Sequence, residues 1–269
     1  MNDTKKAPFG TLIAIILWLA MMPAVYAQTD LPSPTGSMIM EQVTEGQKAS
    51  SSAMDIQMTL IDTKGTQHSR RLQILSRTES QETRTITVFL SPASVKNTRF
   101  LSVERPDGGD DQWIFLPALG KVKRIAASER SGSFMGSDFT YADMASFSYG
   151  KDEAQHTLLR QENLGNHTCH VVESIPKTVS DYGKTITWVD TTTFVAIQVE
   201  FYDSNGSNPV KTLTSENIQQ VDGKWVARMM TMTTLATGHK THIEMSQVTY
   251  NVTLDPAYFT VAFLETGRI

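Results

Sequence analysis

Ser133 is the serine whose surroundings most resemble those of a catalytic nucleophile, because Gly132 precedes it and Gly136 follows shortly after. A nucleophile elbow places its serine midway between two glycines, on a sharp turn from a strand into a helix. Ser133 instead lies directly beside the first glycine. A triad of Ser133, Asp138 and His156 is conceivable, but nothing else in the sequence supports it. We expect no catalytic residue and keep a hydrolase as the third of three hypotheses.

Potential metal ligands are concentrated in the run HTCH, from His167 to His170. On a strand, His167 and Cys169 would share one face, and His170 would point to the other. His239 and His242, three residues apart, would also lie on opposite faces. A structural zinc site needs four converging ligands. Because no second cluster is near, and because GxGxxG, P-loop and HExxH motifs are missing from the sequence, we expect neither a metal nor a cofactor.

Apolar side chains favour binding over catalysis. The chain has 13 methionines, and ten of them follow Ala27. Methionine is flexible and polarizable, so a surface lined by it adapts to cargo of variable shape. For each of these residues an ordinary core position is the competing interpretation. The candidate ligand-binding residues are Trp113, Phe115, Phe134, Met135, Trp188, Phe201 and Met229.

Phe134 and Met135 stand between Gly132 and Gly136, in a loop predicted over residues 128–138. Glycine reaches backbone conformations that are closed to other residues, so this loop can move or turn sharply. Two interpretations stay open. The two apolar side chains either form a lid over a cavity or simply plug the core.

The hydrophobic period predicts a mainly β protein. Residues 37–48 have helical spacing, and from Met54 onward apolar and polar residues alternate, as in a strand with one buried face. About eleven strands follow, joined mostly by short turns, and this favours an antiparallel sheet. So many strands in one sheet must curl or close. We also expect one or two helical turns over residues 139–145 and a short turn over residues 255–259.

The N-terminus is typical of an exported protein. Lys5 and Lys6 precede an apolar run over residues 12–22, and Val25 and Ala27 suit a cleavage site, so residues 1–27 are predicted to be a signal peptide. A membrane anchor is the weaker alternative, because a span needs about 20 apolar residues. Residues 28–36 are predicted to be a flexible leader. Residues 37–269 are then one domain.

The net charge argues against a nucleic-acid-binding protein, and the cysteine content excludes a fold stabilised by an intrachain disulfide. Beyond residue 27 the chain has 22 basic and 27 acidic residues, which argues against nucleic acid as the main partner. Cys169 is the only cysteine, so an intrachain disulfide cannot form and stability must come from a core.

A long motif over residues 113–143 (WIFLPALGKVKRIAASERSGSFMGSDFTYAD) closely resembles the LolA-like outer-membrane lipoprotein-sorting protein family. The resemblance extends more weakly from about Met38 to the C-terminus. It implies a half-open, strongly curved antiparallel sheet, a half-barrel whose concave face is covered by a few short helices. It also implies transport of acylated lipoproteins across the periplasm. The motif belongs to a branch whose members resemble partners of RND-type exporters.

The leading hypothesis is therefore a periplasmic, non-enzymatic carrier that binds the acyl chains of lipoproteins or other lipids and shuttles them towards the outer membrane. The alternative is an accessory protein of an inner-membrane RND-type exporter. We expect a monomer that contacts membranes transiently. The basic residues Lys121, Lys123, Arg124 and Arg130 could meet lipid head groups or an acidic partner, or could simply form a solvated strand edge.

Overall fold

The computed structural model describes Met1 and residues 34–105, 110–144 and 152–268. Contacts divide the chain into two units, Met1–Ser33 and Pro34–Ile269, and every element of the fold belongs to the second. The predicted signal peptide beyond Met1 and residues 28–33 of the predicted leader lie outside the described residues.

One antiparallel sheet contains all thirteen strands of the described residues, where the sequence predicted about eleven. Their order across the sheet is β6-β5-β4-β3-β2-β1-β13-β12-β11-β10-β9-β8-β7, so the sheet is open at β6 and β7. The strands are β1 (Ser51–Ile61), β2 (Gln67–Glu79), β3 (Glu82–Ser91), β4 (Arg99–Glu104), β5 (Asp110–Leu116), β6 (Lys121–Arg124), β7 (Ala154–Leu164), β8 (His167–Pro176), β9 (Thr185–Asp190), β10 (Ala196–Tyr202), β11 (Pro209–Val221), β12 (Lys224–Thr234) and β13 (Lys240–Tyr250).

Two α-helices are present in the described part of the chain, α1 (Gly36–Gln47) and α2 (Val261–Thr266). The sequence predicted α1 but not α2. Three 3-10 helices occupy Ala127–Glu129, Phe134–Gly136 and Pro256–Phe259. Residues 141–144 form a turn in which the Met144 N–H donates to the carbonyl of Thr140 at 3.2 Å. Neither α-helix is long and apolar enough to cross a bilayer.

The sheet is strongly curved, as the contacts of a short segment demonstrate. Gln112 on β5 donates a hydrogen bond to the carbonyl of Tyr141, and Lys211 on β11 donates to Asp143. On a flat sheet β5 and β11 would be about 34 Å apart, since neighbouring strands are about 4.8 Å apart. Residues 141 and 143 are separated by about 7 Å at most. The sheet therefore bends around this segment, and we call the side that faces it the concave face.

The concave face carries the largest apolar cluster, with Met58, Leu72, Phe100, Leu213 and Met232 among its buried members. Helix α1 lies on the same face and contacts β7, β8 and β12. The predicted half-barrel with its concave face covered is thus confirmed.

The opposite, convex face is also covered in part. Phe259, Phe263 and Leu264 of the C-terminal segment pack against Ile86 and Leu101 on β3 and β4. Residues of β4 are consequently buried on both sides, and the simple expectation of one buried and one wet face fails there. Helix α2 is short, but it is capped at both ends, by Thr260 and Gly267.

Arg99 on β4 holds α2 in place. Its Nε donates to the carbonyl of Leu264 at 2.7 Å, and its guanidinium lies 4.5 Å from the centroid of the Phe115 ring. A cation at a helix C-terminus is stabilised by the helix dipole and by the free carbonyls there.

Gly36 begins α1 where the helix lies against the edge strand β7. A Cβ at this position would be 2.8 Å from backbone atoms of His156, Thr157 and Leu158. Backbone atoms of a paired strand cannot move aside cheaply, so we expect Gly36→Ala to destabilise the protein by about 1–3 kcal/mol in urea unfolding. Gly46→Ala is the matched control.

Gly46 lies in the last turn of the same helix, and a Cβ there would have no atom within 4 Å. Gly46→Ala should be neutral or stabilise by up to about 1 kcal/mol, because alanine has the higher helix propensity. Equal effects of the two substitutions would contradict the close packing of α1 against β7.

Candidate functional site

The concave face is covered by residues 125–144, which we call the covering segment. It contains two 3-10 turns and one isolated bridge, between Ser133 and Thr140, but no α-helix and no strand of the sheet. The Phe134 N–H donates to the carbonyl of Phe139 at 2.7 Å and closes this internal hairpin. The Ile125 N–H donates to the carbonyl of Gln112 on β5 at 2.9 Å where the segment leaves the sheet, and beyond this bond the segment is attached to the sheet through side chains rather than by strand pairing.

The apolar side chains of the covering segment fill the centre of the concave face. Phe134 and Phe139 are completely buried. The Phe134 ring has its centroid 5.1 Å from that of Phe100 and 6.0 Å from that of Phe89, and the Tyr141 ring meets it edge-on at 5.5 Å. Edge-to-face aromatic pairs of this kind add to the free energy of burial.

Asp138 anchors the segment to β12 and β13. Its carboxylate accepts hydrogen bonds from the hydroxyls of Thr234 at 2.5 Å and Thr241 at 2.7 Å, and its Oδ2 lies 2.7 Å from Nδ1 of His239. The Asp138 N–H donates to Thr241 Oγ1 at 2.9 Å. A buried carboxylate needs such partners, because burying it without them is costly.

Asp143 anchors the other end of the segment, towards β11. Its carboxylate accepts from the Thr140 N–H at 2.8 Å, from the Tyr182 hydroxyl at 3.1 Å and from Lys211 Nζ at 3.3 Å. Burial, and after it the Asp143 charge, raises the pKa of Tyr182 far above its usual range, so the tyrosine stays a hydrogen-bond donor.

A third anchor comes from β2. Arg70 Nη1 donates to the carbonyl of Met135 at 2.6 Å, and partial burial lowers the pKa of Arg70. Met135 has a φ of 52°, and Gly136 follows with a φ of 77°. Positive φ is unusual for a residue other than glycine, so this contact holds the chain in a sharp turn.

Polar groups are concentrated on the concave side of β3, β4 and β5. Thr87 Oγ1, Ser102 Oγ and Gln112 Oε1 are buried and have no hydrogen-bond partner in the part of the chain that the structure describes. Glu104 lies beyond Ser102 on the same strand. Burial, reinforced by the nearby carboxylates of Glu153 and Asp110, raises the pKa of Glu104 to about 7.

One cavity of about 410 Å³ opens between the edge of the sheet and the first part of the covering segment. Its walls come from β5, β6, the Ala127–Glu129 turn and the residues that follow this turn. It is lined by Ile114, Leu116, Lys123, Ile125, Ser128, Glu129, Ser131, Gly132 and Tyr141. A second hollow, of about 390 Å³, lies at β1, β2 and β13 and is lined mostly by polar and charged residues, among them Asp55, Arg71 and Glu244.

The seven candidate ligand-binding residues are divided between the two faces. Phe134, Met135 and Phe201 belong to the concave cluster. Trp113 and Phe115 pack with the C-terminal segment on the convex face.

Trp188 and Met229 also lie away from the concave cluster. Trp188 packs with Cys169 on the convex side and donates from Nε1 to Glu162 at 2.6 Å. Met229 alternates with Met230, which does pack against the concave cluster, and therefore points to the opposite face.

Sequence reasoning missed the anchors. Asp138, Asp143, Tyr182 and Lys211 were not candidate binding residues. The available signal was the pair of aspartates inside an otherwise apolar and glycine-rich motif, since acidic residues among apolar neighbours must find partners when the loop is buried.

The hypothetical triad does not assemble. Ser133 Oγ donates to the carbonyl of Ser137 at 2.6 Å, Asp138 is bonded to His239, and His156 Nδ1 lies 2.8 Å from Ser174 Oγ. No hydrogen bond between described residues joins two of the three triad members.

Metal-ligating groups do not converge in the described residues, where no group of three His, Cys, Asp or Glu side chains is placed to hold an ion. His167 Nδ1 lies 2.8 Å from Asp190 Oδ2. Burial raises the pKa of the Cys169 thiol to about 11, so it stays protonated and unreactive at neutral pH.

Glu104→Gln should stabilise the protein by about 1–3 kcal/mol at pH 8 and change its stability little at pH 5. The raised pKa means that between the ordinary value of 4.5 and about 7 the folded protein holds a proton that the unfolded chain has lost. The contribution of Glu104 to the stability of the wild type therefore falls as pH rises through that range. Glutamine does not titrate, so the variant does not lose this stability. Urea unfolding at both pH values measures the difference.

The control for loss of a carboxylate is Glu216→Gln, at an exposed position on β11. It should change stability by less than about 0.5 kcal/mol. An equal gain from Glu104→Gln at pH 5 and pH 8 would show that titration of Glu104 is not the cause.

Comparison with known proteins identifies relatives that share this fold along most of the chain. A family model described as "Uncharacterized protein" matches residues 81–266. A "putative outer membrane lipoprotein-sorting protein domain" from Vibrio parahaemolyticus is 31% identical, with a TM-score of 0.79 over 86% of this chain and 98% of that one. A DUF1329 family protein from Desulfovibrio piger is 26% identical, with a TM-score of 0.81 over 85% and 97%.

A LolA superfamily protein from Nitrosomonas europaea shares the fold, with a TM-score of 0.68 at 22% identity over 85% of this chain and 98% of that one. A search of curated proteins finds no match. The motif at residues 113–143, the curved sheet and these relatives agree, and the chain belongs to the LolA-like outer membrane lipoprotein-sorting protein family.

Proposed function

We propose that this protein is a periplasmic carrier that binds the acyl chains of lipoproteins or other lipids on its concave face and shuttles them towards the outer membrane. Membership of a family named for lipoprotein sorting supports this function. The exported location rests on the predicted signal peptide over residues 1–27. The carrier acts as a monomer, contacts membranes transiently and catalyses no reaction.

The attachment of the covering segment is the observation that carries the proposal. Its apolar side chains occupy the centre of the concave face, yet side-chain hydrogen bonds from Asp138, Asp143 and Arg70 hold it there. Such bonds can break and reform without unpairing any strand. The segment can therefore withdraw and leave an apolar hollow that an acyl chain fills.

The energies make this exchange feasible. A buried acyl chain gains about 0.8 kcal/mol per CH₂, or on the order of 10 kcal/mol for a chain of sixteen carbons. Each hydrogen bond of an anchor contributes about 0.5–1.5 kcal/mol net. Cargo can thus offset the release of the anchors and the displacement of the phenylalanine rings.

Cargo contacts are proposed for the candidate residues that belong to the concave cluster, Phe134, Met135 and Phe201. Met230 and Met232, on the same face, join them in the proposal. Trp113, Phe115, Trp188 and Met229 are given no role in binding cargo, because they lie on the convex side.

Thr241→Val should accelerate the uptake of a fluorescent fatty acid several-fold and strengthen its binding. Valine has the shape of threonine but cannot bond to the carboxylate or the N–H of Asp138. The closed position is weakened, and about 1.4 kcal/mol of weakening raises the open population tenfold. Stopped-flow fluorescence measures uptake, and mass spectrometry of the protein from its native periplasm identifies the bound lipid.

The matched control is Thr231→Val on β12, whose hydroxyl lies 3.0 Å from His242 Nδ1 and does not bond to the covering segment. It should leave uptake unchanged. If wild type and Thr241→Val both fail to bind fatty acid, and the native protein is repeatedly isolated without lipid, the carrier is excluded. Co-purification with an RND-type exporter in that case would favour the accessory function.

A further inference from the structure

The cavity of about 410 Å³ at the sheet edge has an apolar floor that leads into the core. Ile114 and Ile125 in its wall are buried members of the concave cluster. Tyr141, also in the wall, meets Phe134 edge-on at 5.5 Å. An alkyl chain that enters here reaches the ring at the centre of the covering segment directly.

Lys123 lines this cavity, and Lys121 lies two residues before it on the same edge strand, β6. Lys123 is paired with Ile114 and Lys121 with Leu116 across β5 and β6, so both lysines lie on the concave side. Of the strands in the described residues, none lies beyond β6 in the sheet. Lys123 therefore stands at the mouth of the cavity, and Lys121 lies next to it on the same face, opposite the lining residue Leu116.

The charges at the mouth are incompletely balanced. Lys123 Nζ lies 2.5 Å from Glu129 Oε1. This hydrogen bond is the main reason that the pKa of Glu129 is lowered. Lys121 is exposed and has no carboxylate partner among the described residues.

The neighbouring arginines do not change that balance. Arg124 points to the convex side, where it pairs with Asp111, and Arg130 pairs with Asp110. Counting only residues that the structure describes, the unpaired positive charge of Lys121 thus remains beside the cavity, and that of Lys123 can be released from Glu129.

We propose that this mouth admits single-chain amphiphiles with an acidic head group, whose tail enters between β6 and the Ala127–Glu129 turn and whose acid binds Lys121 and then Lys123. This inference rests on the proposed carrier function and names both a cargo class and its route. A carboxylate or phosphate ester supplies the negative charge that can pair with the lysines, and the apolar floor accepts the tail.

Binding of cis-parinaric acid and of its methyl ester, which share one tail, tests the role of charge. Lys121→Gln combined with Lys123→Gln should weaken binding of the acid about threefold to tenfold and leave the ester unchanged. Lys64→Gln, in the exposed turn between β1 and β2, is the matched control and should affect neither probe. Competition by oleate and by oleoyl lysophosphatidate distinguishes a carboxylate from a phosphate ester as the source of the acid.

The route is tested by fluorescence quenching. Ser131→Cys places a reactive thiol in the cavity wall, and the natural Cys169 is buried and stays unlabelled because its thiol has a raised pKa. The fluorescence of a bimane label attached to the Ser131→Cys variant should be quenched by a nitroxide-labelled fatty acid. The same label introduced by Thr63→Cys, in the β1–β2 turn and three or more strands away from β5 across the sheet, should not be quenched.

The outcomes separate this inference from the proposed function. If the acid and the ester bind equally, and the lysine substitutions change neither, the acidic cargo class is wrong while the carrier function stands. Binding without quenching at position 131 excludes this route in the same way. Failure of every probe to bind wild type contradicts the carrier function itself.

Discussion

The first strand of the sheet pairs with the last, Ser52 opposite Tyr250 and Leu60 opposite Thr241. Without this pairing, β1–β6 and β7–β13 would be two separate runs of hairpins. With it they form one sheet, which must curl because each pair of strands adds its right-handed twist. The curl brings β5 and β11 to opposite sides of one hollow, so that a single short segment can contact both.

The covering segment turns that hollow into a closed core. Its phenylalanines fill the centre of the concave cluster, but its aspartates specify where the segment lies. A buried carboxylate such as Asp143 is costly unless all its partners are in place, and those partners come from the segment itself, from Tyr182 and from β11. A segment shifted by one residue would leave Lys211 and Tyr182 without their acceptor. The polar groups therefore select one closed arrangement among many that would bury the same apolar area.

Much of this architecture could be predicted from the sequence, because a period of two identifies strands and a helical period identifies α1. Helix α2 could not, since six residues are too few for a periodic signal and its stability depends on docking against β4.

It was harder to predict from the sequence on which face of the sheet each apolar side chain lies. Met229 and Met230 differ by one position, and a shift of one residue exchanges the two faces of a strand. Trp113 and Phe115 share a face, but only the position of α2 decides that this face is convex and partly covered. The anchors of Asp138 and Asp143 depend on residues far away along the chain, which no local pattern contains.

Attachment by side chains also has an evolutionary consequence. After the bond from the Ile125 N–H to Gln112, the backbone pairing that holds the sheet does not pass through the covering segment, so substitutions there can alter the volume and chemistry of the interior while the scaffold keeps its strand register. Relatives that share the fold at 22–31% identity can in this way diverge in what they accommodate without redesigning the architecture. Adaptation to a new occupant then requires changes in one short stretch of chain and in the few strand residues that face it.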